Sequence, residues 1–154
     1  MPSICIHLPI INLTVTKQMI MSKIALDSNI LIYNHSLDHE KKRLIAIGFF
    51  NEMPVVSSQV ISEYLNVMRK KFKVEKNELM QICSSWLEKC TVQPVVSSTI
   101  KHAQNLVAKY DFQLFDGIVV AAALEANCDI LYSEDMHDGL VVEKTLTIIN
   151  PFKE

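Results

Sequence analysis

Phe112-Gln-Leu-Phe-Asp116-Gly-Ile-Val-Val-Ala-Ala-Ala-Leu-Glu125-Ala-Asn-Cys-Asp-Ile130-Leu-Tyr-Ser-Glu-Asp135-Met-His-Asp-Gly139 reads as a turn, a buried helix, a short buried strand and an acidic turn. From Ile118 to Ala126 the segment is apolar all round except for Glu125, so protein must cover it on most sides. The chain then turns at Asn127-Cys128-Asp129 into the apolar triplet Ile130-Leu131-Tyr132 and ends in Ser133-Glu134-Asp135. Acids therefore stand at both ends of a buried helix–strand unit. Ionised carboxylates beside a core are costly unless a cation or hydrogen-bond donors meet them, which points to a metal.

Two further stretches repeat the pattern. Lys23-Ile24-Ala25-Leu26 is a short apolar run closed by Asp27-Ser28-Asn29, and a strand buried on both faces reads this way in parallel sheets. Ligands gather outside the carboxyl ends of such strands, where Asp27 falls, although Asp27 alone reads equally well as a helix N-cap. Pro54-Val55-Val56 is a second short strand, and Ser58 is placed to cap the helix Gln59–Met68. Apolar residues at 60, 61, 64, 65 and 68 mark its buried face, and Glu63 borders that stripe. The helix ends in Arg69, Lys70, Lys71 and Lys73, the best basic cluster in the chain. It suits RNA phosphates, and equally suits a helix C-terminus for dipole reasons.

Glu75–Lys89 reads as an amphipathic helix with Leu79, Ile82, Cys83, Trp86 and Leu87 inward. Val92–Val96 reads as an edge strand or an extended linker because of Pro94. Ser97 or Ser98 is expected to cap a helix that turns Ile100, Ala103, Leu106, Val107 and Tyr110 inward. Leu146–Pro151 closes as a last strand. His35 and His39, and the run Lys41-Lys42-Arg43, read as solvated faces. Alternation of helices with short apolar strands gives an α/β fold, a mostly parallel central sheet flanked by helices.

The 154 residues, 49% hydrophobic with three glycines, suit one soluble domain with a sizeable core. A net charge of -2 neither excludes nor suggests a nucleic-acid partner. The four cysteines have no zinc-knuckle or Cys-x-x-Cys spacing and read as reduced thiols of a cytoplasmic protein. Residues 1–21 are broken by Pro9, Asn12, Lys17 and Gln18, which makes a signal peptide or membrane helix a poor reading. They read as an N-terminal extension, poorly ordered or a start-site artefact, before a domain at 22–154; Cys5 and His7 receive no chemistry.

Asp27, Glu63, Asp116 and Asp135 share one property: each ends a strand or lies near the start of a helix. In a parallel sheet those ends meet at one edge. Carboxylates within about 6 Å of one another repel and raise each other's pKa, and a hard divalent cation, Mg²⁺ or Mn²⁺, relieves this. Such a centre serves metal-dependent phosphoryl chemistry. No Gly-rich phosphate loop, Ser-His-Asp order or Cys-His pair competes for the role.

At these residues the sequence resembles the PIN-domain nucleases, and among them the VapC-type toxins of bacterial toxin–antitoxin pairs. The blocks are Leu26-Asp27-Ser28-Asn29 through Tyr33, Ser57–Val60 with Glu63–Val67, Phe115-Asp116 before an Ala-rich helix, and Leu131–Met136 with Gly139. The resemblance covers residues 23–152. It implies a three-layer PIN-like fold and a Mg²⁺- or Mn²⁺-dependent endoribonuclease leaving a 5′-phosphate and a 3′-hydroxyl. It implies metal ligation by Asp27, Glu63, Asp116 and Asp135, with Ser28, Asn29 and Ser133 orienting them. It also implies an RNA substrate, a cognate antitoxin, a homodimer and no membrane. Two departures stand out: Phe115 where relatives often carry Trp, and an acid at Asp138, read as a surface residue or an extra outer acid. The rivals are a non-catalytic PIN module that binds RNA or protein, and a Mg²⁺-dependent phosphatase. The second of these needs an Asp-x-Asp pair that Asp27-Ser28-Asn29 lacks.

Overall fold

The computed structural model describes residues 21–153; the expectations placed on residues 1–20, Cys5 and His7 included, lie outside the described residues. The chain runs β1 (Ile24–Leu26), α1 (Ser28–Tyr33), α2 (Glu40–Gly48), a 3-10 turn (Phe49–Glu52), β2 (Val55–Ser57), α3 (Ser58–Lys70), α4 (Lys76–Lys89), β3 (Thr91–Gln93), α5 (Ser97–Tyr110), α6 (Leu114–Glu125), β4 (Ile130–Tyr132), β5 (Val141–Val142) and β6 (Leu146–Ile149). The sheet order is β3-β2-β1-β4-β6-β5. All neighbours are parallel except β5 with β6. The mostly parallel sheet flanked by helices is thus the fold expected. No described helix is long and apolar enough to cross a membrane.

The chain steps outward from β1 through β2 to β3, then returns through α5 and α6 to β4 on the other side of β1. That reversal opens a crevice beyond the carboxyl ends of β1 and β4, where parallel sheets collect ligands. The central strands are short and, but for Ser57 at the end of β2, apolar because both faces are covered: Ile24, Ala25, Leu26, Val55, Val56 and Leu131 are all buried. α6 is buried over Gly117–Ala123, as a helix without a polar face must be. Gly117 permits its close seat on α5, since a Cβ there would stand 2.6 Å from Val107 Cγ2.

Several local expectations are corrected. The cap of α3 is Ser57, whose hydroxyl accepts from Val60 N–H at 3.1 Å; Ser58 Oγ instead accepts from Val95 N–H at 3.0 Å and ties α3 to the segment after β3. At α5 neither Ser97 nor Ser98 caps. Thr99 Oγ1 accepts from Val96 N–H at 3.2 Å and donates to Glu125 Oε2 at 2.7 Å, fastening the start of α5 to the end of α6. Thr99 is the residue buried at the start of α5, and Ile100 beside it is 45% exposed. Trp86 is buried in the last turn of α4, and Leu87 beside it is 56% exposed. His35 is not wholly solvated: its ring lies 5.9 Å from Tyr64 and 5.8 Å from Trp86. Lys42 is not a free surface charge, since it bonds both Tyr33 and Glu134. β5 is an additional two-residue strand, with Gly139 at φ 84 in the turn before it. Among the described cysteines, Cys83, Cys90 and Cys128 are all free thiols.

Candidate functional site

Asp27 begins where β1 ends. Its N–H still donates to Tyr132 O at 3.0 Å, so the backbone is held in the ladder while the side chain leaves the sheet. The residue is only 6% exposed. Its Oδ1 accepts from Ser28 N–H at 2.6 Å, and its Oδ2 accepts from Ser133 Oγ at 2.7 Å and Asn29 Nδ2 at 3.3 Å. The cap reading of Asp27 is realised by one oxygen, which caps α1, while the other oxygen is held by side chains. Burial pushes the carboxyl above the usual Asp value; the Ser133 and Ser28 bonds oppose this, and the charge of Asp135 adds to it.

The other three acids arrive from different elements. Glu63 lies in the second turn of α3, and its carboxyl is raised first by burial, then by the charges of Asp27, Asp116 and Asp135. The Ser28 side chain, by hydrogen bonding, works the other way. Asp116 lies in the first turn of α6 and is raised by burial and then by Asp27 and Asp135. Asp135 follows β4, and its Oδ2 accepts from Asn29 Nδ2 at 3.3 Å. One amide thus spans the first and last acids of the set. Ser133 is wholly buried; besides donating to Asp27, it accepts from Met136 N–H at 3.3 Å and so shapes the turn that presents Asp135.

The fold therefore brings Asp27, Glu63, Asp116 and Asp135 into mutual electrostatic reach at one end of the sheet, with Ser28, Asn29 and Ser133 among them. Among the described residues no three His, Cys, Asp or Glu side chains close into a preformed metal cage. Mg²⁺ does not need one: it keeps several waters and takes one or two carboxylates directly. An all-oxygen donor set in which the Asp27, Glu63 and Asp116 carboxyls are raised by burial and by mutual repulsion fits a hard divalent cation.

Two neighbouring groups fall outside this cluster. Asp138 turns away: its Oδ1 accepts from Asn150 N–H at 2.8 Å and its Oδ2 from Lys153 Nζ at 3.2 Å, which together hold its carboxyl below the usual range. Arg69, Lys70, Lys71 and Lys73 sit at the far end of α3 from its cap. Helical rise puts Arg69 about 9 Å beyond Glu63 along the axis, so the cluster flanks the acids without joining them. Arg69 and Lys73 line a groove between α3 and α4 with Leu79 and Met80.

Sequence reasoning missed the Lys42–Glu134 pair, with Tyr33 Oη bonded to Lys42 at 3.0 Å. Burial opposes the charged form of Glu134, but Lys42 and Tyr33 hold its carboxyl below the usual value. This fixes α2 beside the acidic turn. No local spacing announces a contact between residues so far apart. Gly117 was also missed, though an isolated glycine inside an apolar helix is a signal of close packing.

The family model described as the PIN domain matches residues 24–137, from β1 to the acidic turn. No curated protein matches the chain significantly in sequence. Among solved structures, a toxin–antitoxin complex from Klebsiella pneumoniae is similar with TM-score 0.61 and 18% identity, covering 86% of this chain and 100% of that one. The sarcin-ricin loop-cleaving toxin VapC20 of Mycobacterium tuberculosis is similar with TM-score 0.57 and 12% identity, covering 71% and 87%. FitAB bound to an IR36 DNA fragment is similar with TM-score 0.52 and 13% identity, covering 85% and 96%. At such identities the likeness is one of fold. With a family model spanning β1 to the acidic turn and a sheet of the same kind, the chain belongs to the PIN domain family.

Proposed function

We propose that this protein is a divalent-cation-dependent endoribonuclease and the toxin of a toxin–antitoxin pair. The observation that carries the reading is the gathering of four carboxylates, from β1, α3, α6 and the turn after β4, at one end of the sheet, with Asp27, Glu63 and Asp116 all raised by burial and mutual repulsion. Asp27, Glu63, Asp116 and Asp135 are the residues that would hold Mg²⁺ or Mn²⁺. When bound, the ion supplies charge neutralisation, an electrophilic contact for a phosphate oxygen and a lowered pKa for water.

The chain's own residues do the positioning. Ser28 N–H and Ser133 Oγ hold the two oxygens of Asp27, so its carboxylate cannot rotate away from the crevice. Asn29 fixes Asp135 relative to Asp27. Arg69, Lys70, Lys71 and Lys73 are the cations offered to the RNA backbone on its way to the acids. A toxin–antitoxin complex among the neighbours in fold supports a protein antitoxin that covers the acidic crevice, and the reading carries with it a homodimer.

Cleavage of labelled RNA by the purified protein, with Mg²⁺ or Mn²⁺ against EDTA and beside Asp116→Asn, tests the proposal. Metal-dependent cleavage that disappears in the variant is expected. Equal cleavage by both proteins, or none by antitoxin-free protein on total cellular RNA, overturns it.

A further inference from the structure

The acidic cluster opens into a cavity of about 480 Å³, within the range of small-ligand sites. Asp116 and Asp135 belong to its lining, so whatever sits in it adjoins the carboxylates. Apart from a third carboxylate, Asp111, the rest of the lining has a different chemistry. Tyr110 and Phe112 contribute two rings with centroids 5.8 Å apart and planes tilted by 36°. Met136 adds soft apolar surface, and Gln113 and His137 add hydrogen-bonding groups from exposed positions.

The rings are braced. Tyr110 Oη donates to Glu143 Oε1 at 3.2 Å and accepts from Glu143 N–H at 2.9 Å, so its hydroxyl is already satisfied and its ring cannot swing out. Asp111, at φ 58, reverses the chain so that α6 starts four residues after α5 ends. The turn that carries the aromatic rings therefore also delivers Asp116. A planar aromatic surface, a polarisable thioether, an amide and an imidazole, with carboxylates at one end, suit a heteroaromatic ring attached to a cation-bridged phosphate. The larger groove between α3 and α4, about 810 Å³, contains none of the four acids and suits the sugar–phosphate backbone instead.

We propose that this cavity seats the base of the nucleotide adjoining the phosphate to be cut, stacked on Phe112 and Tyr110 with its edge facing Gln113 and His137. The inference rests on the nuclease reading and deepens it: the substrate is an unstacked nucleotide in a single strand, loop or bulge, because a base paired in a duplex cannot enter. Stacking on an aromatic side chain is worth about 5- to 150-fold in affinity per base.

The test uses the full chain with ¹³C-labelled methionine methyls, saturating Mg²⁺, and two probes: adenosine 5′-monophosphate and ribose 5-phosphate. Met136 reports on this cavity and Met80 on the α3–α4 groove. The nucleotide is expected to bind about tenfold tighter than ribose 5-phosphate and to shift the Met136 methyl. Phe112→Leu, which keeps an apolar side chain but removes one of the two π faces, is expected to lower that ratio severalfold. A ratio near one in the wild type, a shift at Met80 instead of Met136, or a Met136 shift given by an arginine-bearing peptide but not by the nucleotide overturns the proposal. Failure of both phosphates to bind with Mg²⁺ overturns it as well. All of these outcomes leave the nuclease reading standing if the wild type cleaves RNA and Asp116→Asn does not, whereas absence of metal-dependent cleavage by the wild type removes the nuclease reading itself.

Discussion

Gly117→Ala adds one carbon where α6 crosses α5. The new Cβ would stand 2.6 Å from Val107 Cγ2, 3.4 Å from Ala103 O and 3.9 Å from Ala103 Cβ. Carbon atoms prefer about 3.5–4.0 Å, so the first contact is short by about 1 Å. Val107 is β-branched and has essentially one helical rotamer, so it cannot step aside cheaply. Overpacking of this kind costs about 1–3 kcal/mol, and replacing a helical glycine by alanine returns up to about 1 kcal/mol. The net expectation is a loss of about 1 kcal/mol, or a Tm lower by roughly 3–5 °C. Urea melts of four proteins decide the matter: wild type, Gly117→Ala, Val107→Ala and the double variant. In the Val107→Ala background the clash is gone, so the same Gly117→Ala change should stabilise by roughly 0.5–1 kcal/mol. Destabilisation of equal size in both backgrounds would refute the steric argument. Because Asp116 immediately precedes Gly117, a shift of α6 by about 1 Å is also expected to lower RNA cleavage by up to about 100-fold.

Asp27→Asn tests the buried carboxylate through pH. The folded-state pKa of Asp27 lies above its unfolded value, so below the unfolded pKa both states are protonated and the charge costs nothing. As pH rises from the unfolded value through the folded one, the wild type loses stability that the variant keeps. In EDTA the stability gap should therefore open in favour of the variant as pH rises above about 4, and a gap independent of pH would sink the argument. The Tyr64 hydroxyl is buried and makes no well-formed hydrogen bond among the described residues, having only a weak interaction with Trp86, so Tyr64→Phe is expected to be neutral or stabilising by up to about 1 kcal/mol in thermal melts, not destabilising. Lys42→Ala removes a pair that is partly solvated, so the loss should be about 0.5 kcal/mol and should shrink in high salt.

The parallel sheet was legible because its strands are short, apolar on both faces and closed by polar turns, as at Ile24–Asp27 and Ile130–Asp135. The four acids were legible as a set because each follows a strand or opens a helix, and parallel topology carries such positions to one edge. What stayed hidden depended on distant partners. Ser57 and Ser58 are chemically identical, and only the segment at Val95, 37 residues away, assigns Ser58 a different task. Thr99 competes with Ser97 and Ser98 as a cap because Glu125 awaits it on α6. β5 is too short to leave a periodic trace. Asp138 shares its residue type with the site acids, and only its bonds to Asn150 and Lys153 separate it from them.

The bond from Ser133 Oγ to Asp27 Oδ2 joins residues 106 positions apart, and Asn29 reaches Asp135 over the same interval. A ribosome adding 5–20 residues per second needs roughly 5–20 s to cover that distance. Throughout that time the emerging chain holds Asp27 without the hydroxyl that fixes it and without the last acid of the set. The arrangement of carboxylates thus waits on residues made 106 positions after the first of them. A chain truncated before Ser133 carries Asp27, Glu63 and Asp116 but no assembled crevice. A protein whose proposed substrate is RNA is, by this topology, unarmed until Ser133 and Asp135 have been made and have joined Asp27.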